Sequence, residues 1–190
     1  LWGAFGHRWV EQFTAALHAE GLAGRTIWKI SCRADQVEPE LFERLREAGL
    51  YMVYLGLESG NAAGLSTFNK GLTVEDNLRA TAVLKELGLS LGFGFMLFDP
   101  SSTFDSVRAN VSFLRQVAGD GSVAAHFCRM VPYAGTPIHE CLAREGRLRG
   151  NSINPDYDFR DARMGEFFDK VSEVTTDWVN GPASLKNHLN

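Results

Sequence analysis

The sequence predicts an α/β fold, in which a parallel sheet with outer helices forms part of a (β/α) barrel. Four apolar runs of strand length alternate with stretches in which apolar residues recur every three or four positions. The run at 51–57 is apolar at nearly every position, which is typical of a strand buried on both faces. No G-x-G-x-x-G loop follows a strand, so a barrel is favoured over a doubly wound open sheet.

The helices are predicted from their apolar spacing and from the residues at their ends. In chain order they cover residues 7–20, 38–48, 74–87, 104–117, 136–146 and 162–179. The strands between them cover 26–31, 51–57, 89–97 and 123–131. Proline stands in the first turn at positions 39 and 137, and glycine ends or follows a helix at positions 21, 49, 88 and 146. Thr73 with Asp76, and Ser102 with Asp105, are predicted to cap the third and fourth helices, and the polar stretch 147–161 is predicted to be a loop.

The composition excludes several classes of protein. The 190 residues suit one domain, and 45% hydrophobic and 22% charged residues are ordinary for a globular protein. The net charge of −4 comes without blocks of like charge, so neither a nucleic acid nor a membrane is expected as a partner. Three cysteines are too few for a disulfide framework and no signal peptide is visible, which predicts a cytoplasmic protein.

Polar residues follow the predicted strands, where parallel α/β folds place their chemistry. We therefore expect a polar site lined by Arg33, Glu58, Ser59, Asp99 and Arg129. Glu58 is the strongest candidate because it directly follows an apolar run and precedes Ser59. A carboxylate at such a place is costly to bury unless a partner or a ligand compensates it.

The other polar residues each have a structural alternative. Arg33 could pair with Asp35, and Asp99 could cap the following helix instead of meeting a ligand. Cys32 and Cys128 both lie at strand ends, yet free cysteines are more often part of a packed core than nucleophiles. No cysteine or histidine spacing typical of a metal site is present, and there is no Walker loop or G-x-S-x-G turn. These residues alone do not identify a reaction.

Six short segments, spread over about 110 residues, carry a family resemblance. They read WKISCRAD (28–35), LREAGL (45–50), YLGLESG (54–60), NKGLT (69–73), GFMLFDP (94–100, after Gly88-Leu89) and PYAGTP (132–137). In this order they resemble the later barrel strands of the radical S-adenosylmethionine (radical SAM) superfamily, in the branch often joined to a cobalamin-binding domain.

The resemblance implies a partial, TIM-like (β/α)6 core over residues 1–146 and a loop and helix extension over 147–190. In that family, a [4Fe-4S] cluster on a CxxxCxxC loop binds S-adenosylmethionine and cleaves it to a 5′-deoxyadenosyl radical, which abstracts hydrogen from the substrate. The implied cofactors are therefore S-adenosylmethionine, the cluster and, with a further domain, cobalamin. The implied partners are a small-molecule substrate, an electron donor and an upstream part of the same protein.

The family's binding residues can be carried over onto matching positions. Glu58 and Ser59 would contact the ribose or methionine part of the cofactor, and Arg33 would meet its carboxylate. The strand from Phe95 to Phe98 would flank the adenine, and Arg129 to Tyr133 would close the pocket near the substrate. The predicted cofactor-binding residues are Arg33, Glu58, Ser59, Phe95, Met96, Asp99, Arg129 and Tyr133.

The sequence departs from the family in having no CxxxCxxC loop, so no metal ligands are predicted in this chain. The loop is expected upstream of Leu1, and the chain is then the C-terminal part of a radical SAM enzyme and inactive by itself. Two alternatives stay open. One is a cluster-free module of the same ancestry that binds S-adenosylmethionine or serves as a scaffold. The other is an unrelated barrel lyase or isomerase with Glu58 as general base.

Overall fold

The computed structural model describes residues 2–123 and 128–180, with side chains between 8 and 176. The helices are α1 (Trp2–Ala19), α2 (Pro39–Glu47), α3 (Ala62–Thr67), α4 (Val74–Glu86), α5 (Phe104–Ala118), α6 (Pro137–Arg144) and α7 (Ala162–Asn180). The strands are β1 (Trp28–Cys32), β2 (Leu50–Glu58), β3 (Ser90–Phe98), β4 (Cys128–Arg129), β5 (Leu148–Gly150) and β6 (Pro155–Tyr157), and one turn of 3-10 helix covers Ala34–Gln36. Within the described ranges, no helix combines the length and the apolar character needed to cross a membrane.

The predicted α/β fold is confirmed. Strands β1 to β4 form one sheet in sequence order, and β1 with β2 and β2 with β3 pair in parallel. Val53, Leu55 and Leu57 of β2 are fully buried, whereas Tyr54 is 44% exposed and Gly56 half-buried. The prediction that this strand is buried on both faces is therefore wrong. Tyrosine and glycine are often found in a protein core, but Tyr54 and Gly56 lie on the more exposed face of the sheet.

Several predicted elements differ from the structure. Helix α1 begins at Trp2 and not at residue 7, and α3 (Ala62–Thr67) has no counterpart among the predicted helices. The polar stretch 147–161, predicted as a loop, contains the antiparallel pair β5 and β6, in which Leu148 pairs with Tyr157. Tyr157 is buried and anchors this hairpin, but three-residue strands among polar residues leave no periodic signal. The last strand, predicted at 123–131, is seen at Cys128–Arg129, and residues 124–127 lie outside the described part.

The residues that begin α5 also differ from the prediction. Thr103 Oγ1 accepts from Ser106 N at 3.1 Å, and Ser106 Oγ accepts from Thr103 N at 2.9 Å. The predicted pair of Ser102 and Asp105 is wrong because Thr103 caps the helix, while the Ser102 hydroxyl accepts from Asp99 N at 2.8 Å. The reciprocal bonds satisfy N–H groups at the helix start, as in a capping box, one residue later than expected.

The chain forms two compact units. The first comprises Leu1–Leu97 and Arg108–Cys128, and the second comprises Phe98–Val107 and Arg129–Asn190. Fully buried side chains of the first unit include Val37, Phe42, Leu45, Val53, Leu55, Leu57 and Leu84. Those of the second include Phe98, Leu142, Tyr157 and Met164. The expected boundary between a barrel core and an extension after residue 146 stays a prediction.

A buried asparagine fixes the loop that follows β2 in the first unit. Asn110 Oδ1 accepts from Gly60 N at 2.8 Å and from Ser59 Oγ at 3.1 Å, and Asn110 Nδ2 donates to Leu97 O at 3.2 Å. One amide side chain thus joins the loop to the end of β3. Its oxygen and its nitrogen are both needed, because a buried backbone group without a partner is costly.

Two further asparagines hold the same loop. Asn77 Nδ2 donates to Leu57 O at 2.9 Å, before the loop, and Asn61 Oδ1 accepts from Gly64 N at 2.9 Å, which caps α3. We call Asn61, Asn77 and Asn110 the asparagine clamp. Since the clamp bonds to residues on both sides of Glu58, it determines how the chain leaves β2.

We predict that Asn110→Ala lowers the free energy of unfolding by about 2–4 kcal/mol, because Gly60 N and Leu97 O lose their partner inside the protein. Asn110→Asp keeps the acceptor and loses the donor, so it is also expected to destabilise the fold. Urea denaturation followed by circular dichroism measures both. Asn154→Ala is the control, since the Asn154 side chain is exposed and a change below about 1 kcal/mol is expected there. Equal effects of the two alanine variants would contradict the clamp.

A second stability prediction compares the glycines that follow α2 and α4. Gly49 has a φ of +108°, and a Cβ there would lie 2.2 Å from Thr26 O. Gly88 has a φ of +67°, and nothing lies within 4 Å of its Cβ position. We expect Gly88→Ala to cost about 1–2 kcal/mol and Gly49→Ala about 3 kcal/mol or more. Denaturation midpoints would rank the two, and the reverse order would refute this explanation.

Candidate functional site

Glu58, the last residue of β2, has an unusual backbone conformation. Its φ is +60°, and Ser59 N donates to Leu57 O at 2.7 Å, which closes a γ-turn with Glu58 at its centre. The pairing of β2 with β3 shifts in register between Gly56 and Glu58. A residue with a side chain at positive φ is held there only by its surroundings, and such residues concentrate at functional sites. Glu58 is a candidate on this structural ground as well as on its sequence.

The Glu58 carboxylate has a cationic partner. Lys70 Nζ lies 2.8 Å from Glu58 Oε1, and the two side chains are only 26% and 15% exposed. Sequence reasoning did not single out Lys70, although it belongs to the segment Asn69–Thr73 that contributed to the family resemblance. Asn69 and Gly71 both have positive φ, at +49° and +59°, so the chain turns on each side of the lysine. This pattern of turn residues around one lysine is the signal that could have found it.

Two glycines lie under this ion pair. Gly56 of β2 and Gly94 of β3 are partners in the sheet, and we call them the glycine floor. A Cβ on Gly56 would lie 2.7 Å from Glu58 Oε1 and 3.3 Å from Lys70 Nζ. A Cβ on Gly94 would lie 3.2 Å from the Tyr54 hydroxyl and 3.9 Å from Glu58 Oε2. The carboxylate and the phenol therefore lie over the same glycine, where they can accept or donate hydrogen bonds.

Arg33 is hydrogen-bonded both to Asp35 and to Lys70, the partner of Glu58. Its Nε and Nη2 each donate to the Asp35 carboxylate at 3.0 Å, so the predicted alternative in which Arg33 pairs with Asp35 is observed. The hydrogen bond to Asp35 raises the pKa of Arg33. Arg33 Nη2 also donates to Lys70 O at 2.8 Å. The structure thus brings Arg33 and Glu58 together through Lys70.

Of three other predicted residues of the first unit, Ser59 and Phe95 have packing roles. Ser59 is buried and its hydroxyl bonds to the asparagine clamp. Phe95 is buried and stacks on Phe113 of α5, with ring centroids 5.6 Å apart. Met96 is half-buried in β3. The structure does not place the Phe95 ring over the glycine floor, and the contacts of these three with a cofactor stay predictions.

Asp99 and Tyr133 belong to the second unit. Asp99 is buried, its Oδ1 accepts from Ser101 N at 2.7 Å, and burial raises the pKa of its carboxyl. These contacts shape the loop before α5, but they do not cap the helix as the alternative for Asp99 predicted, because the capping bonds at the helix start join Thr103 and Ser106. Tyr133 is 67% exposed, and its carbonyl accepts from the Thr136 hydroxyl at 2.6 Å.

Arg129, also in the second unit, is enclosed by aromatic rings. Its guanidinium carbon lies 4.2 Å from the centre of the Tyr157 ring and 4.7 Å from those of Phe159 and Phe168. Nη2 lies 3.0 Å from Asp156 Oδ1 and also donates to Tyr157 O. Cation–π contacts and an ion pair thus hold Arg129 against β6 and α7. Its predicted role near a substrate stays a prediction.

The cysteines do not form a reactive or metal-binding group. Burial raises the pKa of the Cys32 thiol to about 12, and partial burial together with the Glu58 carboxylate raises that of Cys128. A raised pKa disfavours the thiolate, which is the nucleophilic form of cysteine. Among residues 2–123 and 128–180, no three His, Cys, Asp or Glu side chains converge to hold a metal. The described residues thus do not fit an iron–sulfur cluster.

The sequence is similar to known proteins over part of its length. It is 28% identical over 113 residues to an uncharacterized methyltransferase of Pyrococcus horikoshii, which covers 60% of this chain and 24% of that protein. It is 34% identical over 70 residues to the 4′-phospho-dehydrooxetanocin synthase of Priestia megaterium, which covers 36% of this chain and 9% of the synthase. The chain thus spans a quarter or less of these curated relatives. No protein-family model matches it.

Solved structures share the fold. The cobalamin-dependent S-adenosylmethionine radical enzyme OxsB, with aqua-cobalamin bound, superposes on 96% of this chain with a TM-score of 0.75 and 17% identity. The radical S-adenosylmethionine methyltransferase TsrM of Kitasatospora setae superposes on 77% with a TM-score of 0.60 and 21% identity. The chain covers 32% and 30% of these two proteins. The chain thus shares the fold of solved radical S-adenosylmethionine enzymes and has sequence similarity to an uncharacterized methyltransferase.

Proposed function

We propose that this chain supplies part of the S-adenosylmethionine site of a radical SAM enzyme, with Glu58 as the residue that contacts the cofactor. The observation that carries the proposal is the mostly buried Glu58 carboxylate, held at positive φ over the glycine floor. Similarity to an enzyme whose structure was solved with aqua-cobalamin and S-adenosylmethionine bound supports the choice of ligand.

The chemistry of the ligand matches the groups around Glu58. S-adenosylmethionine carries ribose hydroxyls and an ammonium group, which donate hydrogen bonds that a carboxylate accepts. The Tyr54 hydroxyl, 3.2 Å from the Cβ position of Gly94, can donate or accept at the same place. The absence of a side chain at Gly94 lets a ligand approach the backbone of β3 closely. Arg33 offers a guanidinium at the edge of this site for the ligand's carboxylate.

The reaction itself needs groups that the described residues do not supply. The proposal therefore includes a [4Fe-4S] cluster held by an upstream part of the same protein, an electron donor and a small-molecule substrate. Cobalamin is proposed as a further cofactor because OxsB binds it. Hydrogen abstraction and cobalamin-linked methyl transfer are both included, since the similar proteins comprise a radical enzyme and a methyltransferase. Neither a nucleic acid nor a membrane is part of the proposal.

We predict that Glu58→Gln weakens the binding of S-adenosylmethionine about 10- to 100-fold, which corresponds to one hydrogen bond to a charged group. Isothermal titration calorimetry on the full-length protein, reconstituted with iron and sulfide without oxygen, measures the affinity. After reduction, the rate at which 5′-deoxyadenosine forms at low cofactor concentration should fall with it.

The control for this prediction is Glu43→Gln. Glu43 is exposed on α2, and its carboxylate lies 4.0 Å from Arg46, so the same loss of charge there should leave the affinity unchanged. An unaltered affinity in the Glu58 variant would remove Glu58 from the site. A full-length protein that folds, carries its cluster and gives no heat with S-adenosylmethionine would refute the proposed function.

A further inference from the structure

Lys70 contacts the site with both its side chain and its backbone. The ammonium lies 2.8 Å from Glu58 Oε1, and the carbonyl accepts from Arg33 Nη2 at 2.8 Å. The Lys70 N–H donates to Leu65 O at 3.2 Å, which ties the lysine to the end of α3. Three independent bonds therefore set the position of this one residue.

The segment from Glu58 to Gly71 folds back so that its last residues contact its first. It leaves β2 through the γ-turn, is fixed by the asparagine clamp, forms α3, and turns at Asn69 and Gly71 so that Lys70 meets Glu58. The N-terminus of α3 is capped by Asn61, a member of the clamp. The lysine is thus held by the same framework that holds the carboxylate.

The sheet leaves space for this pair at one position. A Cβ on Gly56 would lie 2.7 Å from Glu58 Oε1, which is closer than real Cβ contacts, and 3.3 Å from Lys70 Nζ. The ion pair therefore lies directly on Gly56. A side chain there would have to displace the carboxylate, although it would remove neither charge.

The first unit offers a second lysine pair for comparison. Lys85 Nζ lies 2.7 Å from Asp120 Oδ2, and the side chains are 25% and 55% exposed. The two lysines are equally buried, but the Glu58 carboxylate, at 15%, is much less exposed than that of Asp120. Removing the cation beside a buried carboxylate has larger consequences than removing it beside an exposed one.

From these contacts we infer that Lys70 is a positioning residue for the cofactor. It binds Glu58 Oε1 over Gly56 and so directs Oε2 to the space above Gly94, beside the Tyr54 hydroxyl. This inference rests on the proposed function of Glu58 and extends it. Lys70 acts through the carboxylate, and the direction of the carboxylate decides which ligand atoms it can accept from.

Lys70→Met should weaken S-adenosylmethionine binding by the full-length, reconstituted protein about tenfold or more, because the carboxylate loses its fixed direction. Lys70→Arg keeps the cation and should bind within about threefold of the wild type, an energy difference below about 1 kcal/mol. Gly56→Ala should weaken binding in the same direction as Lys70→Met, since it displaces the carboxylate without changing any charge. Calorimetry gives the affinities.

The double variant Glu58→Gln/Lys70→Met separates positioning from direct contact. If Lys70 acts through Glu58, the double variant binds no more weakly than Glu58→Gln alone, whereas two independent contacts would multiply their effects. Lys85→Met is the matched control, with the same change in charge and similar burial, and should bind as the wild type does. Circular dichroism melting of each variant shows whether it is folded at the temperature of the titration.

The outcomes distinguish the inference from the function on which it rests. If the wild type and Lys70→Met bind equally well while Glu58→Gln binds weakly, the inference is wrong and the proposed function stands. Multiplying effects in the double variant also overturn it, because Lys70 would then act on its own. If the folded, cluster-loaded wild type binds no S-adenosylmethionine, both fail.

Discussion

The buried amide of Asn110 is the interaction on which the rest of the site depends. The loop after β2 brings a backbone donor, Gly60 N, and β3 ends with a backbone acceptor, Leu97 O, and both need partners inside the protein. Asparagine supplies an acceptor and a donor on one short side chain, which neither aspartate nor leucine can do. Once the loop is fixed in this way, the γ-turn at Glu58 follows from the short connection between strand and clamp.

The strain at Glu58 and its burial are both compensated locally. A non-glycine residue at positive φ costs about 1–3 kcal/mol, which hydrogen bonds of the clamp, at about 1 kcal/mol each, can offset. The buried carboxylate is compensated by Lys70 rather than by solvent. The site is therefore preorganised: the loop and the charges are in place within the first unit, so a ligand does not have to order them.

The sequence predicts features that depend on local residue patterns. It does not predict contacts that depend on the path of the chain between distant residues. Periodicity predicts strands β1 to β3 and every helix except α3, and the residue types before α4 predict the capping box of Thr73 with Asp76, which the structure confirms. Glu58 is a candidate from the sequence because a carboxylate directly after an apolar run is costly to bury without a partner or ligand. Lys70 is not a candidate from the sequence, because its contact with Glu58 arises only when α3 returns the chain to β2. The β5–β6 hairpin depends on the burial of Tyr157, and composition does not reveal it.

Charge balance explains why the site combines Arg33, Asp35, Glu58 and Lys70. Arg33 with Asp35 and Lys70 with Glu58 form two neutral pairs, joined by the bond from Arg33 Nη2 to Lys70 O. A ligand that carries both a carboxylate and cationic groups can meet complementary charges in such a site without leaving a net charge there. Loss of the Lys70 ammonium alone would leave one negative charge over the glycine floor, and the most stable response is for Glu58 to turn toward water. The lysine therefore governs the direction of the carboxylate even if it never touches the ligand.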